Sequence, residues 1–106
     1  MVIGYSFHPE ALSEYEAATA YYLAAASPRV AQAFVGAVES AVDCLVAAPT
    51  RWRIVEEPGI RRYVLGRRFP YVIYYRCEPT GSVTIYAVMH CSREPGYWHR
   101  RLEENG

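Results

Sequence analysis

Lysine is missing from this 106-residue chain, and all eleven basic side chains are arginine. Cysteine is scarce and odd in number. Cys44, Cys77 and Cys91 have no Cys-x-x-Cys spacing, which excludes a disulfide framework or a thiolate zinc site built from them alone. Long uncharged runs are absent too: residues 17–28 and the slightly longer run 79–92 both fall short of the ~20 residues that cross a bilayer. Met1–Tyr5 carries no basic region and no small-residue cleavage site follows it, so secretion is not indicated and a cytoplasmic protein without a membrane anchor is expected. No phosphate-cradling glycine loop, His-Glu-x-x-His, carboxylate-rich metal cluster or Gly-x-Ser-x-Gly is present, and no cofactor or metal is expected.

What is present argues for one folded domain over residues 1–106. Hydrophobic residues make up 52% of the chain and aromatics 14%, ten of them tyrosine, whereas disordered chains are aromatic-poor. The net charge of zero hides an asymmetry. Residues 1–50 hold one Arg against five acids, and residues 51–106 hold ten Arg against six acids, so the second half is electropositive. The exclusive use of arginine fits a GC-rich coding bias; planar guanidiniums also suit bidentate contacts to carboxylate or phosphate.

Val2–Phe7 reads as a short strand ending at His8-Pro9-Glu10, where a proline at the first helical position and an acid in the first turn start a helix over residues 9–25. Leu12, Tyr15, Thr19, Tyr22 and Leu23 mark its expected apolar line. Ser27-Pro28 breaks that helix and caps the next, residues 28–48, in which Val30, Phe34, Val38, Ala41 and Leu45 form one stripe. Beyond Pro49 the pattern changes to strands at residues 52–55, 61–65, 71–77 and 83–90, tightly linked and therefore antiparallel. The expected fold is α+β: an antiparallel sheet with an N-terminal strand and an αα-hairpin on one face, in the order β-α-α-β-β-β.

The segment from His90 to Arg101 concentrates two His, three Arg and the pair Tyr97-Trp98, and with Arg61, Arg62, Arg67 and Arg68 it is the constellation most suited to a partner. Arginine interleaved with aromatics binds nucleic acid by phosphate contact and stacking, and the same composition marks protein-interface hot spots. A plainer reading has Tyr97 and Trp98 packing the tail onto the sheet. His90 and His99 could serve as acid and base, although a lone His at a strand end is more often structural. Tyr74, Tyr75 and Tyr86 read as sheet-packing residues.

Phe7-His8-Pro9-Glu10-Ala11, Tyr21-Tyr22, Pro49-Thr50-Arg51-Trp52, Ile60-Arg61-Arg62-Tyr63, Arg68-Phe69-Pro70-Tyr71-Val72-Ile73-Tyr74-Tyr75-Arg76 and Ala87-Val88-Met89-His90 through Arg93-Glu94-Pro95-Gly96-Tyr97-Trp98 together resemble the RelE/ParE toxins of type II toxin-antitoxin systems, a group that includes plasmid stabilisation proteins. The resemblance spans nearly the whole chain. It implies a small bacterial toxin held inactive by a cognate antitoxin, which usually supplies the DNA-binding domain; sequence-specific DNA binding by this chain is not expected.

The family divides in mechanism. The ribosome-dependent ribonucleases carry basic side chains along the strand matching Tyr63 to Leu65, an Arg after the aromatic matching Tyr71, and an Arg and a Tyr near the C-terminus. Here Tyr63, Leu65 and Val72 occupy the first three places, and only Arg93 and Tyr97 could fill the last two, with His90 beside them as a third candidate for catalysis. The resemblance therefore favours the ParE branch, whose members bind DNA gyrase and need no catalytic residues, over mRNA cleavage on ribosomes or a diverged, non-toxic member. On that reading the partner-binding residues are Arg61, Arg62, Arg93, Tyr97, Trp98 and Arg100, and truncation before Arg93 is expected to abolish toxicity while leaving the fold intact.

Overall fold

The computed structural model describes residues 4–93 and 96–105. The chain runs β1 (Tyr5–Phe7), α1 (Pro9–Ala25), α2 (Pro28–Ala47), β2 (Ile54–Glu56), β3 (Ile60–Val64), β4 (Tyr71–Cys77), β5 (Val83–His90) and α3 (Arg100–Asn105). The expected start of β1 at Val2 lies outside the described residues. The helix starts are set locally. His8 caps α1 through Nδ1, which accepts the Glu10 N–H at 3.1 Å, and Ser27 Oγ accepts the Val30 N–H at 3.2 Å with Pro28 at the first helical position of α2.

The sheet order is β1-β5-β4-β3-β2. Strands β2 to β5 are antiparallel, as tight links require, but β1 lies parallel to β5, Tyr5 opposite Val83 and Phe7 opposite Ile85, so the sheet is mixed rather than wholly antiparallel. No tight link joins β1 to β5: the αα-hairpin carries the chain from β1 to β2 at the far edge, and the antiparallel run β2 to β5 then leads back beside β1.

The hairpin covers one face. Phe34, Val38, Ala41 and Leu45 are all buried, joined by Val42, and pack with Ile73, Tyr75, Val83, Ile85 and Val88 of the sheet. Although α2 is by length and composition apolar enough to cross a membrane, its larger apolar side chains are spent on this core. Phe34 sits among rings, with centroids 5.1 Å from Tyr22, 5.4 Å from Phe69 and 5.1 Å from Tyr71. Tyr75, fully buried, donates its hydroxyl to the Pro49 carbonyl at 2.8 Å, and burial pushes its pKa up to about 12. Leu45→Ala should cost about 2–5 kcal/mol, the range for a buried leucine that leaves a cavity; urea denaturation showing under about 0.5 kcal/mol would remove Leu45 from the core.

On α1 the expected apolar line is displaced. Leu12 and Leu23 are exposed, while Ala11 and Ala18 are buried, with Tyr15 and Tyr22 packed beside them. Small residues take the inward positions where α1 packs on β5.

Strand β5 carries a bulge. Tyr74 opposes Ala87 while Tyr75 opposes Ile85, so Tyr86 is the extra residue. Alternation is thereby reset: Val83, Ile85 and Val88 face the helices, and Tyr86, Ala87 and Met89 belong to a second cluster with Ile60, Val72 and Trp98 on the other face. On that face the Tyr86 hydroxyl donates to Glu78 Oε2 at 2.9 Å and accepts from Arg76 Nη2 at 3.1 Å, and Arg76 pairs with Glu78 at 2.8 Å. Burial alone would raise the Glu78 carboxyl, but hydrogen bonds from Arg76, Thr84 and Tyr86 hold it below the usual range.

Candidate functional site

The C-terminal segment turns back under the sheet at Gly96, whose φ of +89° is open to glycine and whose α-hydrogen side faces the His99 ring. Trp98 then lies over Tyr74, rings stacked with centroids 5.0 Å apart, and is 1% exposed. One turn later Arg101, also buried, reaches through to the helix side. It forms a bidentate pair with Glu14 of α1, Nη1 to Oε1 at 2.9 Å and Nη2 to Oε2 at 3.0 Å, and Nη1 also donates to the Tyr86 carbonyl at 2.8 Å.

Glu14 completes the knot. Its Oε1 accepts the Val88 N–H at 3.1 Å and its Oε2 accepts the Tyr97 hydroxyl. The Tyr86 carbonyl and the Val88 N–H belong to the part of β5 that extends past β1, where an edge would otherwise leave them unpaired, so one carboxylate and one guanidinium replace a missing strand. Burial would lower the Arg101 pKa, but the Glu14 carboxylate more than offsets this and raises it. The Tyr97 phenol is pushed well above its usual value, by burial first and then by the Glu14 carboxylate that accepts its hydrogen bond.

Above this knot a cleft of about 270 Å³ opens between α1 and the ends of β4 and β5, lined among others by Glu14, Tyr21, Tyr71, Met89, His90 and Arg93. His90 is exposed, its ring 5.2 Å from Tyr71, and its Nδ1 accepts the Ser92 N–H at 3.1 Å and lies 2.7 Å from Ser92 Oγ. The Arg93 guanidinium lies 3.9 Å from the Tyr97 ring centroid. Among the described residues no group of three or more His, Cys, Asp or Glu is placed to hold a metal ion.

The candidates for catalysis (His90, Arg93, Tyr97) and for partner binding (Arg61, Arg62, Arg93, Tyr97, Trp98, Arg100) are not gathered at one place. His90 and Arg93 share the cleft, and Tyr97 adjoins it through Glu14. Trp98 is no surface contact: it is enclosed beneath the sheet, and its area serves the fold. Arg100 is exposed and pairs with Glu10. Arg61 donates to the carbonyls of Trp52 and, at 3.4 Å, Thr50, anchoring the loop before β2, whereas Arg62 points to the opposite face and is exposed. Pro95, part of the break expected to fix the tail, lies outside the described residues. Glu14 and Arg101 were not singled out by the sequence; an acid off an apolar helical line reads as solvated, and nothing local joins it to an arginine 87 residues on.

A family model described as the ParE toxin of type II toxin-antitoxin system, parDE, matches residues 5–95. The chain belongs to the ParE toxin family. Its fold is also that of a solved structure described as "Chromosomal ParDE TA system from P. aeruginosa", at TM-score 0.70 and 22% identity, covering 84% of this chain and 96% of that one. No curated protein matches the sequence. The β-α-α-β-β-β-β order of this ParE-family chain thus has a counterpart in a solved ParDE structure. The family match ends at residue 95, just before Tyr97, Trp98 and Arg101, the residues that close the second face.

Proposed function

We propose that this ParE-family toxin acts in the cytoplasm by binding DNA gyrase and holding it on cleaved DNA, and that a cognate antitoxin neutralises it. The observation that carries the reading is the use made of the groups an RNA-cleaving relative would need. Tyr63 and Leu65 pack against the helix-side core and Val72 is buried on the other face, so no cation stands at those positions. The Tyr97 hydroxyl is committed to Glu14, and its raised pKa opposes proton transfer near neutral pH. A scissile phosphate needs an acid, a base and surrounding cations together; His90 and Arg93 alone do not supply that set.

Purified toxin added to gyrase, ATP and supercoiled plasmid should accumulate linear, protein-linked DNA, and should leave mRNA on ribosomes uncut. Ribosome-dependent mRNA cleavage that disappears in His90→Ala or Arg93→Ala, with ribosome binding retained, would establish the ribonuclease reading instead.

A further inference from the structure

Glu10, Glu14, Glu56 and Glu78 are held by arginine or histidine. Among the described residues, Glu16, Glu39, Asp43, Glu57 and Glu103 have no cation within salt-bridge distance, and of these Glu39 and Asp43 stand one turn apart on α2, both lining one cavity. Like charges four residues apart repel on a helix, so this pair costs the fold a little stability and returns none.

The cavity, of about 370 Å³, lies where α2 passes the β1 edge of the sheet, and Tyr5, Phe7, Tyr15, Val38 and Val42 complete its lining. Strand alternation puts Tyr5 and Phe7 on the same side, where Phe7 stacks on Tyr15 with centroids 5.9 Å apart and Tyr5 meets Phe7 edge-on at 6.1 Å. Val38 and Val42 are buried, Phe7 and Tyr15 half-buried, and Tyr5 is 53% exposed, as are both carboxylates in large part. No basic side chain lines the cavity. The Tyr15 phenol is held above its usual value by burial first and then by the Glu39 carboxylate and Tyr5, in keeping with a negative field there.

Ring faces attract a cation, valines take an apolar stem, and carboxylates accept charge-assisted hydrogen bonds from its head. We propose that this cavity binds an organic cation, a guanidinium or primary ammonium head on a short apolar stem, with the head at Glu39 and Asp43 and the stem along Tyr5, Tyr15 and Val42. A free amine and an arginine or lysine side chain presented by a protein share this chemistry. An anion would meet two carboxylates, and a neutral apolar ligand would take water from them without pairing them. A metal ion is the poorer fit, because no third His, Cys, Asp or Glu among the described residues joins the two and the rings would go unused. The inference stands apart from the gyrase and antitoxin readings.

The test titrates the full chain, its aromatic ring signals assigned by NMR, with agmatine as the free cation and with an acetylated, amidated Ala-Arg-Ala peptide as the side-chain source. The Tyr5, Phe7 and Tyr15 rings should shift with at least one of them, half-saturating at about 1 mM or below, and the tighter of the two identifies the source. Glu39→Gln/Asp43→Asn should weaken that binding by about tenfold and Tyr5→Ala by about fivefold, whereas Glu16→Gln, an exposed acid outside the cavity, should change it by less than about twofold. No ring shift with either probe up to about 10 mM would overturn the proposal. So would equal binding of acetyl-norleucine amide, which has the stem without the charge, or equal shifts with Mg²⁺, which has the charge without the stem. Both of these arms use the unmodified chain and decide the question even where a variant fails to fold. Unchanged affinity in the two cavity variants would overturn it as well.

Discussion

Arg101→Met is expected to cost about 3–5 kcal/mol, the usual loss when one member of a buried ion pair is removed. Arg101 is buried and the Glu14 side chain is 15% exposed, so the carboxylate left behind has little water to turn to. The substitution also strips the Tyr86 carbonyl of its donor at the β5 bulge. For a domain of this size the melting temperature should fall by more than about 10 °C. Glu14→Leu should be equally damaging, since it strands the guanidinium, the Val88 N–H and the Tyr97 hydroxyl together. The double variant should cost clearly less than the two singles added, because no uncompensated charge remains. Urea denaturation of the four proteins measures this cycle; an Arg101→Met loss under about 0.5 kcal/mol, or strict additivity, would mean that the pair does not hold the tail.

Truncation after Ser92 should unfold the domain. The removed segment carries Trp98, whose loss alone is worth about 3–5 kcal/mol by analogy with buried tryptophan truncation, and Arg101, whose loss is of similar size. It also uncovers Ile60, Val72, Tyr86 and Met89 on the second face. Against the 5–15 kcal/mol typical of whole domains, roughly 6–10 kcal/mol leaves little or nothing. The truncated chain should lose its cooperative thermal transition and bind a hydrophobic dye; a sharp melt within a few degrees of the full chain would contradict this. The structure thus reverses the expectation that the fold survives removal of the tail. Any toxicity lost on truncation would report unfolding, and contacts to the target are better tested at exposed Arg93.

The sequence by itself determined what depends on near neighbours. Pro9 and Ser27-Pro28 place both helix starts, the Phe34–Leu45 stripe marks the buried side of α2, and the limits of β4 and β5 coincide with runs of β-branched and aromatic residues. The recurrent motifs also sufficed to indicate the toxin family, since each lies within a dozen contiguous residues. Tertiary structure alone decided the rest. Helical spacing cannot say that α1 turns Ala11 and Ala18 inward and leaves Leu12 exposed, because the choice depends on which side of the helix packs on β5. Period-two alternation cannot reveal the bulge at Tyr86 when β5 is buried on both faces. The side-chain knot of Glu14, Tyr97 and Arg101 has no local signature, as its members are polar residues on separate elements that gain their energy only when folding takes water away from all of them at once.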